Sequence, residues 1–294
     1  MRAFLFPGQG SQAVGMGAAL AEASRAARDT FDEVDEALGQ SLFRLMREGP
    51  DDQLKLTENA QPAIMAHSLA VFRALTKEGG VDLAKAANFV AGHSLGEYSA
   101  LCAAGSFDLA TTAKLLKLRG QAMQRAVPVG EGAMAALLGA DLALARRIAE
   151  AAAQGEVCTV ANDNDPSQVV LSGHKGAIDR AIEMAKQMGA KRAVPLPVSA
   201  PFHCPLMQPA ADAMQDALSY IVVDDPKVPV FANVTAQPES DPDTIRNLLV
   251  EQVTGMVRWR ESVATCTTQA SRNSSRSAAK CWGQWSSASR QTPK

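Results

Sequence analysis

Phe89-Val90-Ala91-Gly92-His93-Ser94-Leu95-Gly96-Glu97-Tyr98-Ser99-Ala100-Leu101 is the stretch whose reading decides the fold. Phe89 to Ala91 is apolar and reads as the end of a buried strand. Leu95, Ala100 and Leu101 sit among helix formers, so the chain turns into a helix there. Gly92 and Gly96 bracket Ser94 as Gly-x-Ser-x-Gly. A serine at a sharp strand-to-helix turn is held in a strained conformation with its hydroxyl exposed, and its neighbours must lack bulk. The helix begins at the serine, so N–H groups and the positive end of the dipole point at any anion formed beside it. The same spacing also fits a glycine-flanked helix cap. The apolar strand before it and the helical pattern after it favour a nucleophile.

Toward the N-terminus, Ala3 to Phe6 is a short apolar run stopped by Pro7 and Gly8, which predicts a buried strand. Gly8-Gln9-Gly10-Ser11-Gln12 follows as a glycine-rich loop. It lacks the Lys-Ser/Thr of a phosphate-binding loop and the dinucleotide fingerprint. Gln9 at such a strand end is a candidate oxyanion donor. Ala18 to Leu38 and Ser41 to Glu48 read as helices. Asn59-Ala60-Gln61-Pro62 predicts a further helix start with proline in the first turn, and Ile64, Leu69, Val71, Phe72 and Leu75 as its apolar side.

Beyond the elbow, Leu109 to Ala126 is helical. Arg119 lies beside its apolar residues, where a solvated or snorkelling side chain is the usual outcome and a carboxylate clamp the functional one. From Val129 the pattern becomes strand, helix, strand, strand, helix, strand: Ala133 to Leu138, Leu142 to Ala153, Val157 to Ala161, Gln168 to Ser172, Ala177 to Met188 and Arg192 to Val198. That order is the ferredoxin-like split motif. Asn162-Asp163-Asn164-Asp165-Pro166 reads as the turn between its middle strands. His203 then stands in a loop between prolines, the most restricted backbone of the four histidines, and a general base must be held in place. Val228 to Val234 reads as a strand, Asp243 to Val253 as a helix, and Val257 to Val263 opens another.

The 294 residues, 47% apolar, suffice for a large domain with an insertion. A net charge of −2 offers no general attraction to nucleic acid or anionic membrane. Five scattered cysteines argue against a disulfide framework and a structural zinc. The apolar N-terminal run is too short for a signal peptide, and no stretch approaches the ~20 apolar residues of a membrane span. A cytoplasmic protein is the expectation.

Taken in order, the glycine-glutamine loop, the Gly-His-Ser-Leu-Gly-Glu elbow, Leu118-Arg119-Gly120-Gln121 and Pro201-Phe202-His203 resemble the malonyl-CoA:acyl carrier protein transacylase family. The Asn-Ala-Gln-Pro helix start and Val257-Arg258-Trp259 match as well. The resemblance spans about Phe4 to Val263. It implies an α/β-hydrolase-like large domain, 1–129 and 197–264, with an inserted ferredoxin-like small domain, 130–196. It implies transfer of malonyl from coenzyme A to the phosphopantetheine thiol of acyl carrier protein in fatty-acid synthesis. Ser94 then corresponds to the nucleophile and His203 to its base. The N–H groups of Gln9 and Leu95 correspond to the oxyanion hole. Arg119 becomes the partner of the malonyl carboxylate, which reverses the solvated reading. His93 lines the pocket, and the main-chain carbonyl of Gln252 steadies the histidine. No metal or organic cofactor is implied; malonyl-CoA and acyl carrier protein are the partners, and a monomer is expected.

The C-terminus departs from the family pattern. After Val263 there is no Val, Ile, Leu or Phe, where a strand, a Gly-rich turn, Lys-Val-Leu and a basic helix are expected. Codons for Lys280-Cys281-Trp282-Gly283, read in another frame, can yield Val or Met, Leu and Gly, so residues 265–294 read as a frame-shifted or disordered tail. Competing functions are an extender-unit acyltransferase of polyketide synthesis, a Gly-x-Ser-x-Gly hydrolase, and a non-catalytic carrier-binding module. Arg119 argues against the hydrolase, and intact Ser94 and His203 against the last.

Overall fold

The computed structural model describes residues 2–272 and has a mixed α/β fold. In chain order the strands are β1 (Ala3–Phe6), β2 (Phe89–Gly92), β3 (Gly132–Leu138), β4 (Cys158–Asp165), β5 (Gln168–His174), β6 (Arg192–Pro195), β7 (Val230–Phe231) and β8 (Pro238–Glu239). They form two four-stranded sheets, ordered β1-β2-β7-β8 and β4-β5-β3-β6. In the first, β1, β2 and β7 are parallel and β8 runs antiparallel at the edge. In the second every pair is antiparallel.

The central strands β2 and β7 are buried on both faces, whereas β1 leaves Leu5 exposed at the sheet edge. Phe6, Val90 and Val230 point into the main core beneath the helices Thr57–Arg73, Leu95–Ala104 and Leu109–Ala126. Phe89, Ala91 and Phe231 point the other way, onto Val257 and Trp259. Alternation is equally plain in the second sheet. Ala135, Leu137, Val169 and Leu171 pack under its own helices, Leu142–Ala153 and Lys175–Ala185. Met134, Ala136 and Val170 face the main core instead. The small sheet is thus cemented to the large body by its reverse face.

Several boundaries differ from the sequence reading, each for a local reason. The Ala18–Leu38 helix is two helices broken at Ser24, whose hydroxyl caps the second by accepting from Ala27 N–H at 3.0 Å. The Asn59 helix starts earlier, at Thr57, so Pro62 lies inside it and not in its first turn. Val71 and Leu75 are exposed, not part of its buried side. The polar run Asn162 to Asp165 is strand, not turn. Tertiary pairing overrides its turn composition: β5 bonds one edge, and Val257 the other, through Asp163 N–H to Val257 C=O at 2.9 Å and Val257 N–H to Ala161 C=O at 2.8 Å. The buried Asp163 carboxylate is matched by a bidentate Arg260, at 3.0 and 2.7 Å. The strand expected over Val228 to Val234 shrinks to Val230–Phe231, because Asn233 commits its groups to the elbow. The last helix runs Trp259–Arg272, past the residue where the tail was expected to begin. Residues 273–294, with the alternative-frame reading placed on them, lie outside the described residues.

Candidate active site

β2 ends at Gly92 and the next helix begins at Leu95, leaving two residues for the turn. Ser94 takes φ 52° and ψ −112°, a region that costs a non-glycine residue of order 1–3 kcal/mol. The flanking glycines are required by close approach. A Cβ on Gly92 would lie 1.8 Å from Gly96 O, and one on Gly96 would lie 2.5 Å from Phe6 O. The strand, the turn and the N-terminal strand end therefore touch backbone to backbone.

Ser94 Oγ meets His203 Nε2 at 2.8 Å. The other ring nitrogen, Nδ1, donates to the main-chain carbonyl of Gln252 at 2.8 Å. That contact fixes the tautomer: Nδ1 carries the hydrogen and Nε2 is free to accept the serine proton. Burial pushes the His203 imidazole down to about 3, helped by the positive charge of Arg119. His203 is therefore neutral, the form a base requires. Its own φ of 57° reflects how tightly the proline-bounded loop is turned.

Arg119 is 1% exposed, a burial its place beside a helix stripe does not announce. Its guanidinium donates to Gln61 Oε1 at 2.9 Å, to Gln252 Oε1 at 2.8 Å and to Ser94 Oγ at 3.2 Å. All three acceptors are neutral. The Tyr98 ring lies under the guanidinium, 5.7 Å from its carbon. Gly120 lets the helix seat closely, since a Cβ there would lie 2.6 Å from Glu58 Cα.

Behind these groups stands a buried polar layer. Glu97 Oε2 accepts from Gln252 Nε2 at 2.7 Å and from Asn233 N–H at 3.0 Å. Asn233 Oδ1 accepts from Ser94 N–H at 2.7 Å, and its Nδ2 donates to Gly92 C=O at 2.7 Å. Burial pushes the Glu97 carboxyl up to about 7, against the opposing pull of Gln252, Asn233 and Arg119.

Of the residues singled out in the sequence, Ser94, His203, Arg119 and Gln252 converge within hydrogen-bonding distance. Gln9 lies in the exposed loop after β1, its side chain reaching Thr57 Oγ1 at 3.5 Å. Leu95 opens the elbow helix. His93 turns to the small sheet: its Nε2 meets Asn164 Oδ1 at 2.9 Å, and its ring stands edge-on to Trp259 at 5.5 Å. Gln61, Glu97, Asn164 and Asn233 were not picked out as site residues. An acid in the first turn of a helix otherwise without charged residues was the available signal for Glu97. Cys204 is buried and its thiol donates to Pro201 C=O at 3.1 Å, a packing role.

Residues 3–274 match the acyl transferase domain family. The chain is similar to the malonyl CoA-acyl carrier protein transacylase of Escherichia coli K12, 47% identical over 261 residues, covering 89% of this chain and 83% of that relative. It is similar in structure to the acyl-carrier-protein-S-malonyltransferase of Bartonella henselae, with a TM-score of 0.88 and 55% identity over 93% of this chain and 86% of that one. A malonyl-transacylase solved with its type II polyketide synthase acyl-carrier protein gives a TM-score of 0.88 at 44% identity, covering 91% and 84%.

Proposed function

The chain belongs to the acyl transferase domain family, and we propose that it carries malonyl from coenzyme A to acyl carrier protein for fatty-acid synthesis through an ester on Ser94. The buried cation beside the nucleophile carries this reading: Arg119 Nη2 lies 3.2 Å from Ser94 Oγ, and its protein contacts are all neutral acceptors. A carboxylate entering the pocket loses hydration, which a planar guanidinium replaces with two hydrogen bonds and an opposite charge.

In the scheme, His203 Nε2 takes the Ser94 proton while Oγ bonds to the thioester carbon. The N–H groups of Gln9 and Leu95 hold the resulting oxyanion. The C–S bond breaks, and the coenzyme A sulfur leaves with the proton from His203. The phosphopantetheine thiol then gives His203 its proton and attacks the ester. The C–O bond breaks and Ser94 recovers its hydrogen. His93, next to the nucleophile, borders the pocket through its backbone position while its ring packs against Asn164 and Trp259. The scheme draws on no metal or organic cofactor.

We read the body bearing the elbow, 1–129 and 197–264, as α/β-hydrolase-like, supported by its parallel strands and strand-to-helix serine. The inserted 130–196 unit reads as ferredoxin-like, supported by its antiparallel order β4-β5-β3-β6. Among the described residues no helix is long and apolar enough to cross a membrane. The similar transacylase solved with a polyketide carrier protein favours one second reading, the same malonyl transfer to such a carrier.

Arg119→Ala tests the assignment. Malonyl transfer to carrier protein should fall by about 10² to 10³-fold while acetyl transfer holds or improves. Equal losses for both acyl groups would make Arg119 structural and remove the basis for malonyl over other acids.

A further inference from the structure

Glu97 is 3% exposed, sits in the first turn of the elbow helix, and has no task in the scheme above. Its Oε2 gathers two donors, Gln252 Nε2 and Asn233 N–H. Each of those residues also touches the reacting groups. Gln252 Nε2 also donates to Ser94 C=O at 3.1 Å, while Gln252 Oε1 accepts from Arg119 at 2.8 Å. Asn233 holds the backbone of Ser94 and Gly92. A side-chain amide has one donating end and one accepting end. With Glu97 and the Ser94 carbonyl both accepting, the Gln252 nitrogen must face them, and its oxygen must face Arg119. A reversed amide would set NH2 against the guanidinium and oxygen against the carboxyl group.

We propose that Glu97 is a positioning residue for acyl transfer: it orients the Gln252 amide so that Arg119 is presented to the acyl carboxylate, and it braces the Ser94 turn through Asn233. The two arms have different signatures. Bracing of the turn affects every acyl group alike. Presentation of Arg119 affects only an acyl group with a carboxylate, so it moves the malonyl-to-acetyl ratio. This rests on the transferase reading.

The test compares Glu97→Met, which keeps length and removes the acceptor, with Glu97→Gln, which retains an oxygen for both donors. Gln252→Met, which removes the amide but not the main-chain carbonyl on His203, is the third variant. Glu97→Met should lower kcat/KM for malonyl-CoA by about 10 to 10²-fold and shift the malonyl-to-acetyl ratio by about 10-fold. Glu97→Gln should restore most of that ratio, and Gln252→Met should reproduce the shift. In an Arg119→Ala background Glu97→Met should move the ratio no further. A crystal structure of Glu97→Met should show the Arg119–Gln252 contact broken or the amide reversed. An unmoved ratio in Gln252→Met, or an intact Arg119–Gln252 contact in Glu97→Met, overturns the proposal. The wild-type protein separates the two questions. If it transfers no malonyl, the transferase reading falls, and the crystal structure alone still decides whether Glu97 places Arg119. Should Glu97→Met not fold, a shifted ratio in Gln252→Met together with a near wild-type ratio in Glu97→Gln supports the proposal, and an unmoved ratio in Gln252→Met overturns it.

Discussion

Under the small sheet, Ala135, Leu137, Ile148 and Leu171 are buried among alanines, and the fit of apolar side chains is what holds them. Behind the elbow of the large sheet, Glu97, Arg119, His203, Asn233 and Gln252 are just as deeply buried, and every one is tied by hydrogen bonds. Burial costs these polar groups their hydration, so the elbow region trades stability for fixed geometry. The small sheet makes the opposite trade. A perturbation should therefore cost activity in one region and stability in the other.

The sharpest way to break that contrast is Ser94→Ala. It removes one hydroxyl from the elbow and should abolish the malonyl-enzyme, with steady-state transfer down by at least about 10⁴-fold. Its melting temperature should change little, because alanine keeps the Cβ that strains the turn and the loss is confined to the two hydrogen bonds of one hydroxyl. Radiolabelled acyl-enzyme persisting in this variant would sink the nucleophile assignment. Leu171→Ala is its counterpart. It should cost about 2 to 5 kcal/mol of stability, read by chemical denaturation, while kcat/KM per folded molecule stays unchanged. A selective loss of activity would mean the two regions are not separable.

Acid stability is the smaller and finer test. The folded protein keeps His203 neutral down to about 3, whereas the unfolded chain takes up that proton below its ordinary 6.5. The unfolded state binds more protons between those values, so this stability is full above about 6.5 and drains as pH falls toward 3. Glu97 works in reverse: the folded state keeps its proton up to about 7, the unfolded chain only to 4.5. Its contribution is present below 4.5 and is lost as pH rises through 7. Denaturation midpoints at pH 5, 6 and 7.5 should thus show a shallower acid slope in His203→Gln and less loss toward pH 7.5 in Glu97→Gln. Leu171→Ala should shift all midpoints together.

The elbow was legible because Gly92 and Gly96 leave a mark in the sequence that follows directly from backbone contact. The strand and helix order of the small sheet was legible because short apolar runs such as Ala133 to Leu138 are bounded by polar segments, whereas which residues face which side was not, since both faces of those strands are apolar. Arg119 was not legible from its helix. Helical periodicity says which face a residue occupies and not whether that face closes over a polar pocket, so only the resemblance to a family pointed to it. Asn162 to Asp165 misled because turn composition is a local signal, and Arg260 and Val257, which hold that run in a strand, are almost a hundred residues away. Gln61 and Glu97 lie inside quoted motifs, but neither their spacing nor that of Asn233 says what they do. Their meaning lies in which atom of each amide or carboxyl group faces which partner, and that exists only once the chain has folded.

The histidine is steadied by a carbonyl and not by an acid, which bears on the direction of the chemistry. A carboxylate on Nδ1 would stabilise the imidazolium and make His203 a stronger base and a weaker acid. A neutral carbonyl holds the ring without that pull, and burial beside Arg119 disfavours the imidazolium, so a proton once taken is readily returned. On the transferase reading, ready return of the proton suits the exchange. The acyl group leaves one thioester and ends in another of similar energy, a thiol being released for the thiol consumed, so neither direction needs to be driven. The forward and reverse reactions use the same proton on the same nitrogen. On that reading the exchange is reversible, and the net flow of acyl groups is set by the steps that consume the acylated carrier.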